Sequence, residues 1–178
     1  DCSDNEVNIK IALASAARDG RLTEPARVKL LGAMTDDVAA LVLEDNRLQA
    51  LALSIAEAGG AAATPSYIRL IEALEESGFL DRRTEGLADG ETFARRATDG
   101  QGLTRPELAV LLSSGKLALQ DSLEHSALPD DPGLVDDLLA AFPPAMRKKY
   151  REDILGHRLR REIIATKLAN RIVNRLGL

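Results

Sequence analysis

The sequence predicts an all-α fold, an irregular bundle of about seven or eight helices. Three observations predict it. Helix-start residues (Ser, Thr or Asp) recur ahead of apolar stretches. The apolar residues in those stretches repeat every three or four positions. Glycines and prolines punctuate the chain between them. With 178 residues, 45% hydrophobic and 29% charged, the chain is long enough for one ordinary domain with or without an appendage, and too apolar for a disordered tail.

The first helix is expected over residues 4–18. Ser3-Asp4-Asn5-Glu6 has capping-box spacing, in which the serine accepts from an N–H three residues on and the glutamate reaches back. Val7, Ile9, Ile11 and Leu13 alternate as in a strand. The same residues form the i,i+4 pairs Val7–Ile11 and Ile9–Leu13, and Ala12, Ala14, Ala16 and Ala17 tip the segment to helix. Arg18-Asp19-Gly20-Arg21 is a break. Thr23 with Pro25 in the first turn starts a second helix that ends near Met34. Thr35-Asp36-Asp37 starts a third that runs to Ala58 and stops at Gly59-Gly60. Its apolar stripe is broad enough for more than one partner helix.

Thr64-Pro65 is expected to open the next helix and Gly78 to close it. Residues 81–90 are polar and loop-like, a short helix covers 90–97, and 98–102 connect. Thr104-Arg105-Pro106-Glu107 joins a capping box to an early proline. Leu108, Leu111, Leu112, Leu119 and Leu123 share a face with Gly115, where another helix could approach closely. Pro129-Asp130-Asp131-Pro132 begins a helix that Phe142-Pro143-Pro144 breaks. A last helix spans 156–175. Thr166 and Asn170 interrupt its apolar stripe and, if buried, must hydrogen-bond, here to a neighbouring helix.

The 23 basic and 28 acidic residues leave a net charge of −5, which argues against nucleic-acid binding by the surface as a whole. The balance is uneven. Residues 147–178 carry ten basic against three acidic residues, net +7, and the preceding 146 residues carry 13 against 25, net −12. The basic segment docks on its own body or on the rest of a longer chain, or is a solvated face, or binds nucleic acid or a membrane surface. Aromatic residues are 3% with no Trp, so base-stacking platforms are scarce. One Cys makes no internal disulfide, which suits a reducing compartment. No apolar run approaches the ~20 residues of a membrane span. The start lacks a signal-peptide pattern and an initiator Met, and reads as an excision from a longer chain.

Motifs for self-contained chemistry are missing. There is no Gly-x-Gly-x-x-Gly after a strand and no Gly-x-x-x-x-Gly-Lys-Ser/Thr loop. His125 and His157 stand alone, and one Cys supplies no thiolate zinc site. The acidic pairs Asp36-Asp37, Glu75-Glu76 and Asp136-Asp137 read as helix starts or solvated faces.

Three segments resemble one family: Asp1-Cys2-Ser3-Asp4-Asn5-Glu6-Val7-Asn8-Ile9-Lys10-Ile11, Gly102-Leu103-Thr104-Arg105-Pro106-Glu107-Leu108-Ala109-Val110-Leu111-Leu112 and His157-Arg158-Leu159-Arg160-Arg161-Glu162-Ile163-Ile164-Ala165-Thr166. They resemble the C-terminal region of the large bacterial NAD-specific glutamate dehydrogenases, and Met34-Thr35-Asp36 and Leu43-Glu44-Asp45-Asn46 fit as well. Two positions depart: the family usually has His at Asn5 and an aromatic near Ser114. The resemblance implies a parent enzyme that oxidises L-glutamate with NAD+ and water to 2-oxoglutarate, ammonia and NADH. It implies that the catalytic residues and the NAD site precede Asp1, with no catalytic, cofactor or metal residue in these 178. It further implies a helix (1–20) following an upstream nucleotide-binding domain and a C-terminal helical domain (21–178). Its partners would be the upstream catalytic domains and further copies in a cytoplasmic homo-oligomer, with no membrane.

One substrate-binding residue is implied by the same resemblance. The family's Ser-x-x-Glu at the start of the helix after the nucleotide domain supplies a serine that holds the substrate carboxylate, and Ser3 and Glu6 match it. A helix N-terminus favours an anion, and a hydroxyl can donate to a carboxylate while accepting a capping bond. Ser3 as an N-cap alone stays open beside this, with Glu6 as its capping partner. The competing function is a non-catalytic helical module whose basic C-terminal helix binds nucleic acid or an acidic protein.

Overall fold

In the computed structural model, which describes the backbone of residues 2–177 and side chains from Asn5 to Gly177, the described residues form helices, short 3₁₀ turns and loops, with no strand. The helices are α1 (Cys2–Arg18), α2 (Glu24–Ala33), α3 (Thr35–Ala58), α4 (Gly60–Glu76), α5 (Gly90–Thr98), α6 (Arg105–Glu124), α7 (Val135–Ala140), α8 (Pro144–Arg147), α9 (Arg151–Leu155) and α10 (Arg160–Leu176). Seven have nine or more residues and three are short, in keeping with the seven or eight expected. The chain divides into two compact units, one of residues 1–47 and 124–167, the other of residues 48–123 and 168–178.

In the first unit α1 packs on α9, and α7 packs on α8 and α9. Residues 6–13 are helical. Ile9, Ala12, Leu13 and Ala16 are buried, whereas Val7 is 48% exposed, so the helical i,i+4 pair is the one that packs. Gly20, at φ +71°, closes α1: its N–H bonds the Ala17 carbonyl and that of Arg21 the Ala16 carbonyl. This turn sets the direction in which Arg21 leaves the helix. Phe142, Met146, Tyr150, Ile154 and Ile164 are all but inaccessible to solvent.

The second unit has its own core of Tyr67, Ile71, Leu74, Phe93, Leu108 and Leu111 with their neighbours. α4 packs on α5, and the Tyr67 hydroxyl donates to the Ala56 carbonyl at 3.0 Å. Gly102 is a point of backbone contact: a Cβ there would stand 2.7 Å from the carbonyl carbon of Gly60. Arg105 extends from the start of α6 to α3, donating to the Ala50 carbonyl, the Ser54 hydroxyl and Glu57.

Several boundaries differ from expectation. Thr64-Pro65 lies inside α4. The run Ala61-Ala62-Ala63 carries the helix upstream, and Pro65 is close enough to its start that its missing N–H costs one early bond. Thr35 caps nothing. Only Met34 separates α2 from α3, the backbone bonds run through it, and the Thr35 hydroxyl donates back to Gly32. Thr23 has the extended N-cap backbone but makes no side-chain cap bond. Pro129 and Pro132 produce two 3₁₀ turns, with Asp131 capping the second through the Gly133 N–H, and α7 starts only at Val135. The last helix starts later than expected: residues 156–159 precede it and α10 begins at Arg160, with the short α9 before them. Thr166 does not reach a neighbouring helix; its hydroxyl donates to the Glu162 carbonyl one turn back.

Candidate functional site

The residue with an implied substrate role, Ser3, sits in the first turn of α1, and its side chain lies outside the described residues. What the structure does give is the apparatus that holds α1. Two polar contacts of long sequence separation tie this helix and the turn after it to the segment before α10.

The first is an ion pair. Arg21 meets Asp153 in a bidentate fork, Nη1 to Oδ2 at 2.8 Å and Nη2 to Oδ1 at 2.6 Å. Nη2 also reaches Asp19 at 3.0 Å. The Asp153 side chain is only 2% exposed and that of Arg21 is 48% exposed, so a buried carboxylate is neutralised from the solvent side. The Arg21 guanidinium holds the Asp153 carboxyl below its ordinary range; burial opposes this and the Ser15 hydroxyl adds to it.

The second is His157, also buried. Its Nδ1 accepts from the Leu159 N–H at 3.0 Å, which assigns the proton to Nε2, and Nε2 donates to the Asn8 carbonyl at 3.1 Å. The Phe142 ring lies beside it, centroids 5.8 Å apart and tilted by 59°. Burial pushes the imidazole pKa down. The bond to Asn8 opposes that push, the Arg158 charge adds to it and the Glu162 charge opposes it. With both nitrogens engaged, the ring is a neutral fastener for the α1 backbone. It offers no free lone pair to a metal or a substrate proton.

The direction of this shift fixes a pH dependence. An imidazole whose folded pKa lies below its unfolded value of ~6.5 takes up its proton first in the unfolded chain. Its stabilising contribution is present above about pH 6.5 and is lost as pH falls below it. Thermal unfolding should therefore show a midpoint that falls as pH drops below about 6.5, ahead of the carboxylate range. His157→Gln should flatten that limb; an unchanged limb would refute the assignment.

Glu6, the expected capping partner of Ser3, bonds Lys10 at 2.5 Å. The pair sits on the rim of an apolar groove of about 320 Å³ whose walls include Ile9, Leu31, Met34 and Val38.

Four of the ten basic residues of the C-terminal segment have partners within the first unit. Arg147 donates to the Phe142 and Ala140 carbonyls. Arg161 pairs with Asp130 and donates to the Glu124 and Ser126 carbonyls at 2.7 and 2.9 Å, and Arg160 lies 3.6 Å from Asp130. Lys149 stands over the Tyr150 ring.

Sequence reasoning passed over Arg21, Asp153 and the Asn8–His157 contact. A signal existed for Asp153, one of only three acids in a segment of net charge +7. Nothing local marks Asn8, whose functional atom is a backbone carbonyl.

Among the described residues no group of three His, Cys, Asp or Glu is placed to hold a metal, and no helix is long and apolar enough to cross a membrane. Nor do they offer a strand-to-helix glycine turn of the kind that seats a dinucleotide pyrophosphate.

Comparison with known proteins covers the whole chain. A family model described as "Glutamate dehydrogenase, C-terminal" matches residues 100–178, and one described as "Bacterial NAD-glutamate dehydrogenase, catalytic domain" matches residues 1–56. The chain is 46% identical over 178 residues to the NAD-specific glutamate dehydrogenase of Pseudomonas aeruginosa, 43% over 176 residues to that of Halomonas elongata and 39% over 178 residues to that of Mycobacterium tuberculosis. These alignments take in 99–100% of the chain, which spans 11% of the length of each relative.

Proposed function

We propose that this chain, which belongs to the bacterial NAD-specific glutamate dehydrogenase family, works as the helical C-terminal part of an enzyme that oxidises L-glutamate with NAD+ and water to 2-oxoglutarate, ammonia and NADH. The observation that carries this reading is similarity along the entire chain at 39–46% identity, with two family models in consecutive order. NAD and the catalytic residues belong to parts of the enzyme outside these 178 residues. In this reading residues 1–20 form the helix after the nucleotide-binding domain, and residues 21–178 form a helical part for structural support, subunit contacts or regulation, whose start, up to residue 56, matches the family's catalytic-domain model. The enzyme is a cytoplasmic homo-oligomer. The employment of Arg147, Arg160 and Arg161 on neighbouring carbonyls and on Asp130 counts against nucleic acid as the partner of the basic segment.

Ser3, in the first turn of α1, holds the substrate carboxylate in the complete enzyme, and the Arg21–Asp153 and His157–Asn8 contacts keep its helix in place. The test is kinetic. The complete polypeptide should form NADH in the presence of glutamate, and the 178-residue chain should neither turn over nor bind NAD at micromolar concentration. In the complete enzyme Ser3→Ala removes a hydrogen bond to a charged group, worth about 1.5–3 kcal/mol. That corresponds to roughly a 10- to 150-fold loss in kcat/KM for glutamate with NAD affinity barely changed. Ser3→Asn keeps a polar group at this position but changes its reach. A stable Ser3→Asn enzyme with unaltered glutamate kinetics would reject the substrate role.

A further inference from the structure

The stretch from Glu24 to Leu51, which holds α2 and most of α3, is rich in Val, Leu and Ala, yet Met34 is its only buried residue. Not one residue of α2 itself is buried. Val28 is 60% exposed and Leu43 is 67% exposed. The apolar groove beside Ile9 and Met34 opens on the same stretch. The later helices behave differently: α4 through α10 each bury at least one apolar side chain. A helix with a Val/Leu stripe and nothing over it is not a finished packing unit, because secondary elements become stable by burying such stripes against another layer.

The underpacked helices lie within one family match, which also takes in the well-buried α1. The catalytic-domain model covers residues 1–56, which is α1, α2 and nearly all of α3, whereas the C-terminal model covers 100–178. The underpacked stretch therefore lies in the part of the chain that matches a piece of a larger domain, and relatives about nine times longer supply the rest of that domain.

We propose that the exposed apolar face of α2 and the first half of α3, together with the groove lined by Ile9, Leu31, Met34 and Val38, is an intramolecular docking surface covered by the remainder of the catalytic domain of the same polypeptide. The covering segment presents apolar side chains to the groove, with the Glu6–Lys10 ion pair at its rim. This rests on the reading of the chain as part of a glutamate dehydrogenase, but its test does not use activity.

The experiment uses the complete polypeptide that carries this sequence, with Val28→Cys and Leu43→Cys made singly. Maleimide labelling at each position is followed by peptide mass spectrometry against an unstructured cysteine peptide added to the same sample. Labelling should be at least tenfold slower than that of the free peptide; labelling at the free-peptide rate overturns the proposal. Hydrogen exchange of the unmodified polypeptide over residues 24–47 gives the same answer without a substitution, with slow exchange expected and rapid exchange contrary to it. A photo-crosslinking side chain at position 28, in a preparation mixed from isotopically heavy and light chains, identifies the occupant. Links within one isotopic chain to peptides outside these 178 residues are expected. Mixed heavy–light links would show a second copy on this face and overturn the proposal. If the complete polypeptide forms no NADH from glutamate while the face stays protected, the enzymatic reading fails and the docking surface stands.

Discussion

Replacing Asp153 by Ala should lower the stability of the chain by about 2–3 kcal/mol, and replacing Arg21 by Ala should cost more. Asp153 loses two charge-assisted bonds to Arg21, and such bonds contribute about 1.5–3 kcal/mol each before solvent screening. Screening matters because the guanidinium side is 48% exposed, which holds the sum nearer to a single bond. The asymmetry between the two variants is the sharper expectation. Removing Asp153 frees an arginine that solvent already reaches. Removing Arg21 leaves a carboxylate with 2% exposure and no opposite charge, and a stranded buried charge is worse than a lost pair. The double variant should recover towards Asp153→Ala alone. Because the Asp153 pKa is held down in the folded chain, its contribution is full above about pH 5 and is lost as pH falls through about 4 and below. Urea unfolding at neutral pH reads all three variants; for a chain of this size the thermal midpoint of Asp153→Ala should fall by roughly 5–10 °C. A milder effect for Arg21→Ala than for Asp153→Ala would mean that the carboxylate is not desolvated as its surroundings indicate.

The helices that could be read from sequence were those whose information is local. α3 starts at Thr35 and ends at Ala58 as its flanking residues indicate, and Glu107 accepts the Thr104 N–H as the spacing of Thr104-Arg105-Pro106-Glu107 specifies. The alternation over residues 7–13 was ambiguous only until Asn8, Ile9 and Leu13 had partners. A strand would have left Ala12 and Ala16 without the close packing they have in α1. Errors arose where a residue type has two uses. Pro65 marks a first turn in many helices, but here three alanines before it are the better helix formers. Thr166 on an apolar stripe can cross to a neighbour or bond its own preceding turn, and only the fold decides. The contacts that hold α1 were beyond any local pattern, since Arg21 and Asp153 are 132 positions apart and Asn8 and His157 are 149 apart. Function was legible through long family motifs rather than through local chemistry.

Glu107→Gln should be about as damaging as the loss of Asp153, with a signature in acid that identifies its cause. Glu107 lies in the first turn of α6, with a side chain only 16% exposed. It receives Arg96 in a fork, 2.8 Å to each oxygen, and accepts the Thr104 N–H at 2.7 Å. Arg96 in turn donates to the Gly102 carbonyl and lies over the Phe93 ring, so one carboxylate fastens α5, the connector and α6. The Arg96 guanidinium first, against the cost of burial and with help from Thr104, holds the Glu107 carboxyl down at about 2. Against an ordinary value near 4.5, and at about 1.4 kcal/mol per tenfold change in proton affinity, that corresponds to about 3 kcal/mol of stability at neutral pH. The sign follows from which state binds the proton more readily. The unfolded chain protonates first, so the contribution is complete above about pH 5, erodes as pH falls through 4.5, and is below half its full value near pH 3. Glutamine keeps the acceptor for Thr104 but loses the charge, so the gap in unfolding free energy between wild type and Glu107→Gln should close as the solution is acidified over that range. Denaturant titrations at about pH 7, 5, 4 and 3 measure it. A gap that stays constant with pH would show that Glu107 acts by shape and neutral hydrogen bonding, and that its charge does not hold α5 to α6.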